Sequence, residues 1–186
     1  MRPRNKRALE FVAVAVPTMA ALYALLYVEH APGSLVSRAL SGHLVAVAQV
    51  SGWVIRRFDP TLVVQGNNLG GRFPLSIVLD CAALDVQAIY ASAVAAFPVP
   101  WRERVVGGVG GIVGLWVLNI LRIVALYFIG LVAPRWFHTM DEEVFQLVMV
   151  LGACGFFAVW ALSTSDRRGT PPPPVLPARE PSVAPD

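Results

Sequence analysis

Charge is scarce in this chain: only 15% of its 186 residues are Asp, Glu, Lys or Arg. Cysteine is scarcer still, with Cys81 and Cys154 alone, which excludes a disulfide framework and any cysteine-based metal spacing. No basic face interleaves with aromatics, so nucleic acid is excluded as a partner. No inverted repeat and no pair of broken apolar segments is visible, which argues against a small transporter. Apolar side chains fill the space those absences leave. Hydrophobic residues make up 56% of the chain and its mean hydropathy is +0.61. A single domain of this length cannot hide that much apolar surface from water, so the composition points to a membrane protein. The net charge of +3 then matters less than where arginine and lysine sit, because they orient spans in a bilayer.

The first apolar run, residues 9–28, follows a basic head of Arg2, Arg4, Lys6 and Arg7. As a helix it rises about 30 Å, a full hydrocarbon core and longer than a signal-peptide core. It reads as a retained first span with a tolerated kink at Pro17. Further spans are predicted at residues 82–99, 105–132 and 144–162, with an extracytoplasmic insertion at 29–80. Within that insertion, residues 44–55 are too short to cross and end in Arg56 and Arg57, which predicts a helix lying at the interface. Two β-branched runs flank "GNNLGG" at 66–71, which predicts a hairpin. Thr139 followed by Glu142 predicts a capping box ahead of the last span. Residues 166–186, with prolines at 171–174, read as a disordered tail. Basic residues at 2–7, 102–104 and 167–179 outweigh those in the intervening segments, which puts both termini in the cytoplasm. The expected fold is an all-α polytopic membrane protein: one embedded domain over residues 1–165, four transmembrane helices, and a small interfacial helix and β-hairpin insertion.

"SIVLDCAALDVQAIYA", residues 76–91, then stands out, because it opens an apolar helix with Asp80, Cys81, Asp85 and Gln87. Cys81 lies 21 residues before Arg102, about 31 Å up the second span. Arg122 lies 17 residues after Val105, about 26 Å up the third, and its side chain can reach across the difference. His138 precedes the fourth span on the same side. A thiol is a nucleophile only as thiolate, and a neighbouring histidine, arginine or helix N-terminus lowers its pKa. In that reading His138 takes the thiol proton and returns it to a leaving amine. Arg122 stabilises an oxyanion or holds a carboxylate, with Asn119 one turn earlier donating alongside. Asp85, one turn beyond Cys81, would raise the thiol's pKa unless an arginine pairs with it; Arg72 and Arg122 are the candidate partners for Asp80 and Asp85. The implied reaction is attack on a peptide carbonyl at the outer membrane surface, the acyl group passing to water or another nucleophile. The competing view is that Cys81, like mid-span Cys154, is merely a small buried hydrophobe.

The stretch "LDCAALDVQAIYASAVAAFPVPWRERVVGGVGGIVGLWVLNILRIVALYFIG" resembles the exosortase/archaeosortase family, most of all its short exosortase H-type members. The similarity covers roughly residues 63–160, its most telling pieces being the cysteine at the head of a span, "AFPVPWRER" and "LNILRIVALYFIG". The resemblance implies a membrane-embedded cysteine protease or transpeptidase without cofactor. Its partners would be membrane lipids and membrane-anchored proteins ending in a sorting signal of short motif, transmembrane helix and basic tail. Cys81 would be the nucleophile and Arg122 the stabilising arginine. Two features depart from the family pattern. Cys81 is followed by Ala82-Ala83, where the family commonly has a small polar residue and Gly. The family's histidine is expected nearer position 141, where this chain has Asp141, with His138 one turn earlier. Either His138 or Asp141 therefore fills the base position. The rival reading is a catalytically degenerate accessory protein in surface-protein or exopolysaccharide export. The substrate motif and oligomeric state are left open by the sequence.

Overall fold

A computed structural model describes residues 3–28 and 33–169 of the chain, so Arg2 and the tail at 170–186 lie outside the described residues. Helix α1 (Pro3–Tyr27) runs through Pro17 without interruption, and the Thr18 hydroxyl donates to the Val14 carbonyl at 2.7 Å. It packs along α3 (Leu84–Ala96).

Helix α2 (Leu35–Ile55) begins well before the predicted residue 44. Ser34 caps it, its side-chain oxygen accepting from the Ser37 N–H at 3.2 Å, which satisfies a donor the first turn leaves open. The Ser, Arg, Gly and His residues of its first half dilute the apolar run without breaking the helical period. Buried Val47, Ala48, Ser51, Gly52 and Ile55 form one stripe. That stripe supports a small antiparallel sheet. Strands β1 (Val63–Gln65) and β2 (Asn68–Gly70) pair with Val63 opposite Gly70 and Gln65 opposite Asn68. The connecting loop is Gly66-Asn67, with Gly66 at φ 61°, the positive φ that a two-residue hairpin demands. The predicted hairpin is thus real but tighter, since Asn68-Leu69-Gly70 is itself a strand. Strand β3 (Leu75–Ser76) joins the other edge of β2. Gly52 permits the close seat of the sheet on α2, because a Cβ there would stand 2.4 Å from a Val64 methyl.

After the sheet, Leu79–Ala82 forms a 3-10 turn and Ala83 takes the left-handed conformation, φ 54°. Helix α3 therefore starts at Leu84, and it ends at Ala96 because Phe97 is extended before Pro98. Its 13 residues rise about 20 Å, so the span expected at 82–99 is trimmed at both ends. Helix α4 (Trp101–Val132) runs 32 residues, starting before the predicted 105. A 3-10 turn (Pro134–Trp136), the single turn α5 (Phe137–Thr139) and a π-helical turn (Met140–Val144) lead into α6 (Phe145–Gly169). Thr139 lies inside this helical run and its side chain caps nothing, so the capping box is not formed. Residues 166–169, expected in the tail, complete α6.

Two helical segments, Trp101–Val132 and Pro134–Ser165, are long and apolar enough to cross a membrane; Phe11–Leu26 and Leu84–Ala96 are apolar but shorter. The interior divides in two. Val47, Ile55, Leu69, Ile77, Ile123 and Tyr127 pack beneath the sheet. Val86, Tyr90, Leu115 and Met149 pack where α3, α4 and α6 meet. In the second region Gly111 leaves room for the Tyr90 ring, whose hydroxyl donates to the Gly107 carbonyl at 2.8 Å.

Candidate active site at the sheet-bearing end of the bundle

The 3-10 turn puts Cys81 between α2 and α4, with both helices touching the turn. Asn119 of α4 is fully buried and its Nδ2 donates to the Cys81 carbonyl at 3.0 Å. One helical turn farther, Arg122 is only 6% exposed. Its guanidinium reaches Asp141 in the π-helical turn. Nη2 donates to Oδ1 at 2.5 Å, and Nε donates to the same oxygen at 3.2 Å. A charge buried this deeply needs such a partner, and a guanidinium supplies two donors to one carboxylate. The π turn widens the helix just where Asp141 must lean toward α4, and such local bulges are frequent at functional sites.

The Cys81 thiol is half-buried, and its pKa lies above the ordinary value. Burial is the main cause, the Asp141 carboxylate adds to it, Arg122 opposes it and Asp80 reinforces it. The turn's own geometry contributes to this. The α3 N-terminus is capped at Ala83, two residues past Cys81, so the cysteine does not occupy the helix head where a dipole would favour thiolate. The thiol, the guanidinium and the Asp141 carboxylate share one electrostatic neighbourhood.

The remaining candidate residues are placed differently. His138 is 81% exposed in its side chain and faces Glu142, Nε2 to Oε2 at 3.0 Å. It is absent from the charges that act on the thiol. Asp85 follows the left-handed break at Ala83, so the helical spacing that would have stacked it under Cys81 does not apply. Among the described residues the ion pairs are Arg122–Asp141 and His138–Glu142, so neither Asp80 nor Asp85 pairs with Arg72 or Arg122. Arg72 instead acts on Asp59, whose carboxylate accepts from the Thr61 hydroxyl at 2.6 Å and the Tyr127 hydroxyl at 2.7 Å. That clasp ties the loop between α2 and β1 to α4. Cys154 is a free, exposed cysteine on α6. Among the described residues no group of three His, Cys, Asp or Glu side chains is placed to hold a metal.

One residue near the turn escaped sequence reasoning. His43 lies on α2 with its ring near the backbone of Ala82, the residue after Cys81, and its buried Nε2 has no hydrogen-bond partner. The signal was present: His43, Val47 and Ser51 fall at i, i+4 and i+8, one face of a helix. It was lost because the helix was expected to begin after His43.

An apolar cavity of about 840 Å³ opens between α4 and α6, lined by Gly107, Gly111, Gly152, Phe156 and Trp160 among others. None of Cys81, Arg122 and Asp141 lines it, so this cavity is separate from the polar cluster.

Two helical segments long and apolar enough to cross a bilayer, with a buried arginine paired to Asp141 and a half-buried cysteine nearby, fit a membrane protein built around a polar site. A family model described as transmembrane exosortase matches residues 8–159, and the chain belongs to the transmembrane exosortase family. No curated protein and no solved structure matches it.

Proposed function

We propose that this protein is a membrane-embedded cysteine protease or transpeptidase that cleaves C-terminal sorting signals of exported, membrane-anchored proteins. Cys81 is the nucleophile. Arg122 stabilises the oxyanion with a guanidinium edge that Asp141 leaves open, and Asn119 positions the cysteine turn through its carbonyl. The observation that carries this reading is the bond from Asn119 to the Cys81 carbonyl, one helical turn from a buried Arg122. A buried arginine in an apolar helix is expensive and marks function more often than packing. In the membrane α1, α3, α4 and α6 form four spans, α1 and α3 packing together so that each compensates for the other's short apolar length. Both termini lie in the cytoplasm of a plasma membrane protein and the cluster faces the extracytoplasmic side, as the distribution of basic residues favours.

The test is cleavage of a co-expressed protein ending in a short motif, a transmembrane helix and a basic tail, followed by its change in mass. Cys81→Ala is expected to reduce cleavage to background. Arg122→Ala is expected to lose about 100-fold or more, the usual cost of removing an oxyanion donor. Cleavage at the wild-type rate by Cys81→Ala overturns the proposal.

A further inference from the structure

The apolar cavity between α4 and α6 has no part in the cysteine chemistry, and its form is specific. Its lining runs along α4 from Val106 to Leu118, about 18 Å of helix, and along α6 from Val148 to Ser163, about 22 Å. It is a trough, shaped for a rod rather than a compact ligand. Three of its glycines already seat a side chain of this protein. A Cβ at Gly107 would strike Trp160, one at Gly111 would strike Tyr90, and one at Gly152 would strike Leu118. Gly110 and Gly155 also line the trough and are exposed, yet a Cβ at either would meet nothing within 4 Å. Glycine costs a helix interior stability, and in lipid its return is the close approach of another helix backbone. At these two positions no helix of this protein makes that approach.

At the end that carries Arg102, the trough meets a smaller cavity of about 250 Å³, which shares Val106, Trp160 and Ser163 with it and adds Glu103. Oε2 of Glu103 is shut off from solvent and has no hydrogen-bond partner. The first turn of α4 suits a negative charge but gives that oxygen no donor. Arg102 lines the same cavity, and among the described residues it makes no ion pair with Glu103. A carboxylate so placed lacks a cation. At its other end the trough stops on α4 at Leu118, one residue before Asn119 and about 6 Å of rise below Arg122. It therefore runs from an unpaired carboxylate to the level of the polar cluster.

We propose that this trough seats the transmembrane helix of the sorting-signal protein, with a Lys or Arg at that helix's cytoplasmic end entering the smaller cavity beside Glu103. The assignment rests on the protease reading above. An apolar helix with one cationic end matches both parts of the lining, glycine and apolar side chains along the length and a carboxylate at the foot. A helix seated there leaves the trough at the height of Asn119, whose side chain holds the Cys81 carbonyl. A second copy of this chain is the competing occupant, and the experiment separates the two.

The full chain carrying Cys81→Ala, Cys154→Ala and Gly155→Cys is co-expressed with a sorting-signal protein whose one cysteine is placed in turn at each position of one helical turn, midway along its transmembrane helix. Membranes are oxidised, and mass spectrometry identifies the disulfide-linked products at equal loading of each variant. A product joining the two proteins is expected. Cys154 is the control, since it lies about 200° around α6 from Gly152 and is absent from the lining. The Cys81→Ala chain that keeps Cys154 and Gly155 should give about tenfold less product. Glu103→Gln should reduce the product about tenfold, the scale for losing one partner of a desolvated charge pair. Replacing the basic residues of the substrate's tail by serine should do the same, with no further loss when the two changes are combined. A product joining two copies of this chain, equal product from Cys154 and Gly155→Cys, no product, or full product in Glu103→Gln overturns the proposal. In the otherwise native chain, Gly155→Leu fills open space and should slow cleavage about tenfold. Trough-specific linkage to a protein that the native chain never cuts would sink the protease reading alone. Normal cleavage with no linkage and no effect of Gly155→Leu would sink the trough alone.

Discussion

The two halves of the bundle are built on different principles. At the end away from the sheet, α3, α4 and α6 meet through glycine and aromatic faces, with Tyr90 against Gly111 and Trp160 against Gly107. Contact there is van der Waals packing plus a hydrogen bond from each ring to a backbone carbonyl, Tyr90 to Gly107 and Trp160 to Glu103. At the sheet-bearing end, segments distant in sequence are tied by polar side chains. Asn119 holds Cys81, Arg122 holds Asp141, and Tyr127 holds Asp59, all from one face of α4. Small residues let helices close up in lipid, where no hydrophobic force separates helix from solvent. Polar ties fix a geometry that packing alone leaves loose, and they do so at the cost of burying charge. The half that carries the proposed chemistry is therefore the half that is harder to stabilise.

That contrast can be tested by single substitutions. Asp141→Ala leaves the Arg122 charge buried without its partner, and about 3 kcal/mol or more of stability should be lost, measured as unfolding in detergent. Asp141→Asn, which keeps an oxygen acceptor, should lose less. If both variants match the parent, the ion pair is not what holds that end together. Gly111→Ala attacks the other half. Its Cβ falls about where the Tyr90 ring atoms now lie, and overpacking of this kind costs about 1–3 kcal/mol. An equal or greater loss than in Asp141→Ala would reverse the ranking of the two ends. The smallest effect is expected at the junction between them. Ala83→Gly removes the strain of a left-handed alanine, about 1–2 kcal/mol, against a flexibility cost of about 0.5–1 kcal/mol. Its melting temperature should rise slightly or stay level, and a clear fall would mean that the methyl group packs productively in its buried position.

Much of this architecture is legible in the residues, and the misses have physical causes. Apolar run length located α4 and α6, because a span must be long and continuous. "GNNLGG" marked the hairpin, although turn-forming residues can also serve in strands, and Asn68-Leu69-Gly70 does. Helix α2 was half hidden because its first turns face outward and carry Ser37, Arg38, Ser41 and Gly42. That is why His43 read as loop. The break at Ala83 left no trace, since alanine is the best helix former and nothing local announces a positive φ. Height along a helix could be computed for Cys81 and Arg122 from a rise per residue. Partner choice could not, because the π turn that brings Asp141 to Arg122 is a tertiary compromise. The departure from family pattern at Ala82-Ala83 also gains a physical sense. The residue standing where glycine is common adopts the backbone conformation that glycine reaches without strain.

Helix α4 has 32 residues, about 48 Å of rod against about 30 Å of oily interior. If Trp101 rides at one boundary, roughly twenty residues exhaust the lipid and the rod emerges near Leu121. Arg122 is the next residue, and the last ten stand clear as a post about 15 Å tall. Under the proposed function, a polypeptide anchored beside this post would meet the Cys81 sulfur soon after leaving its own greasy segment. The post would thus act as a ruler, setting where along an anchored chain the scissile bond must lie.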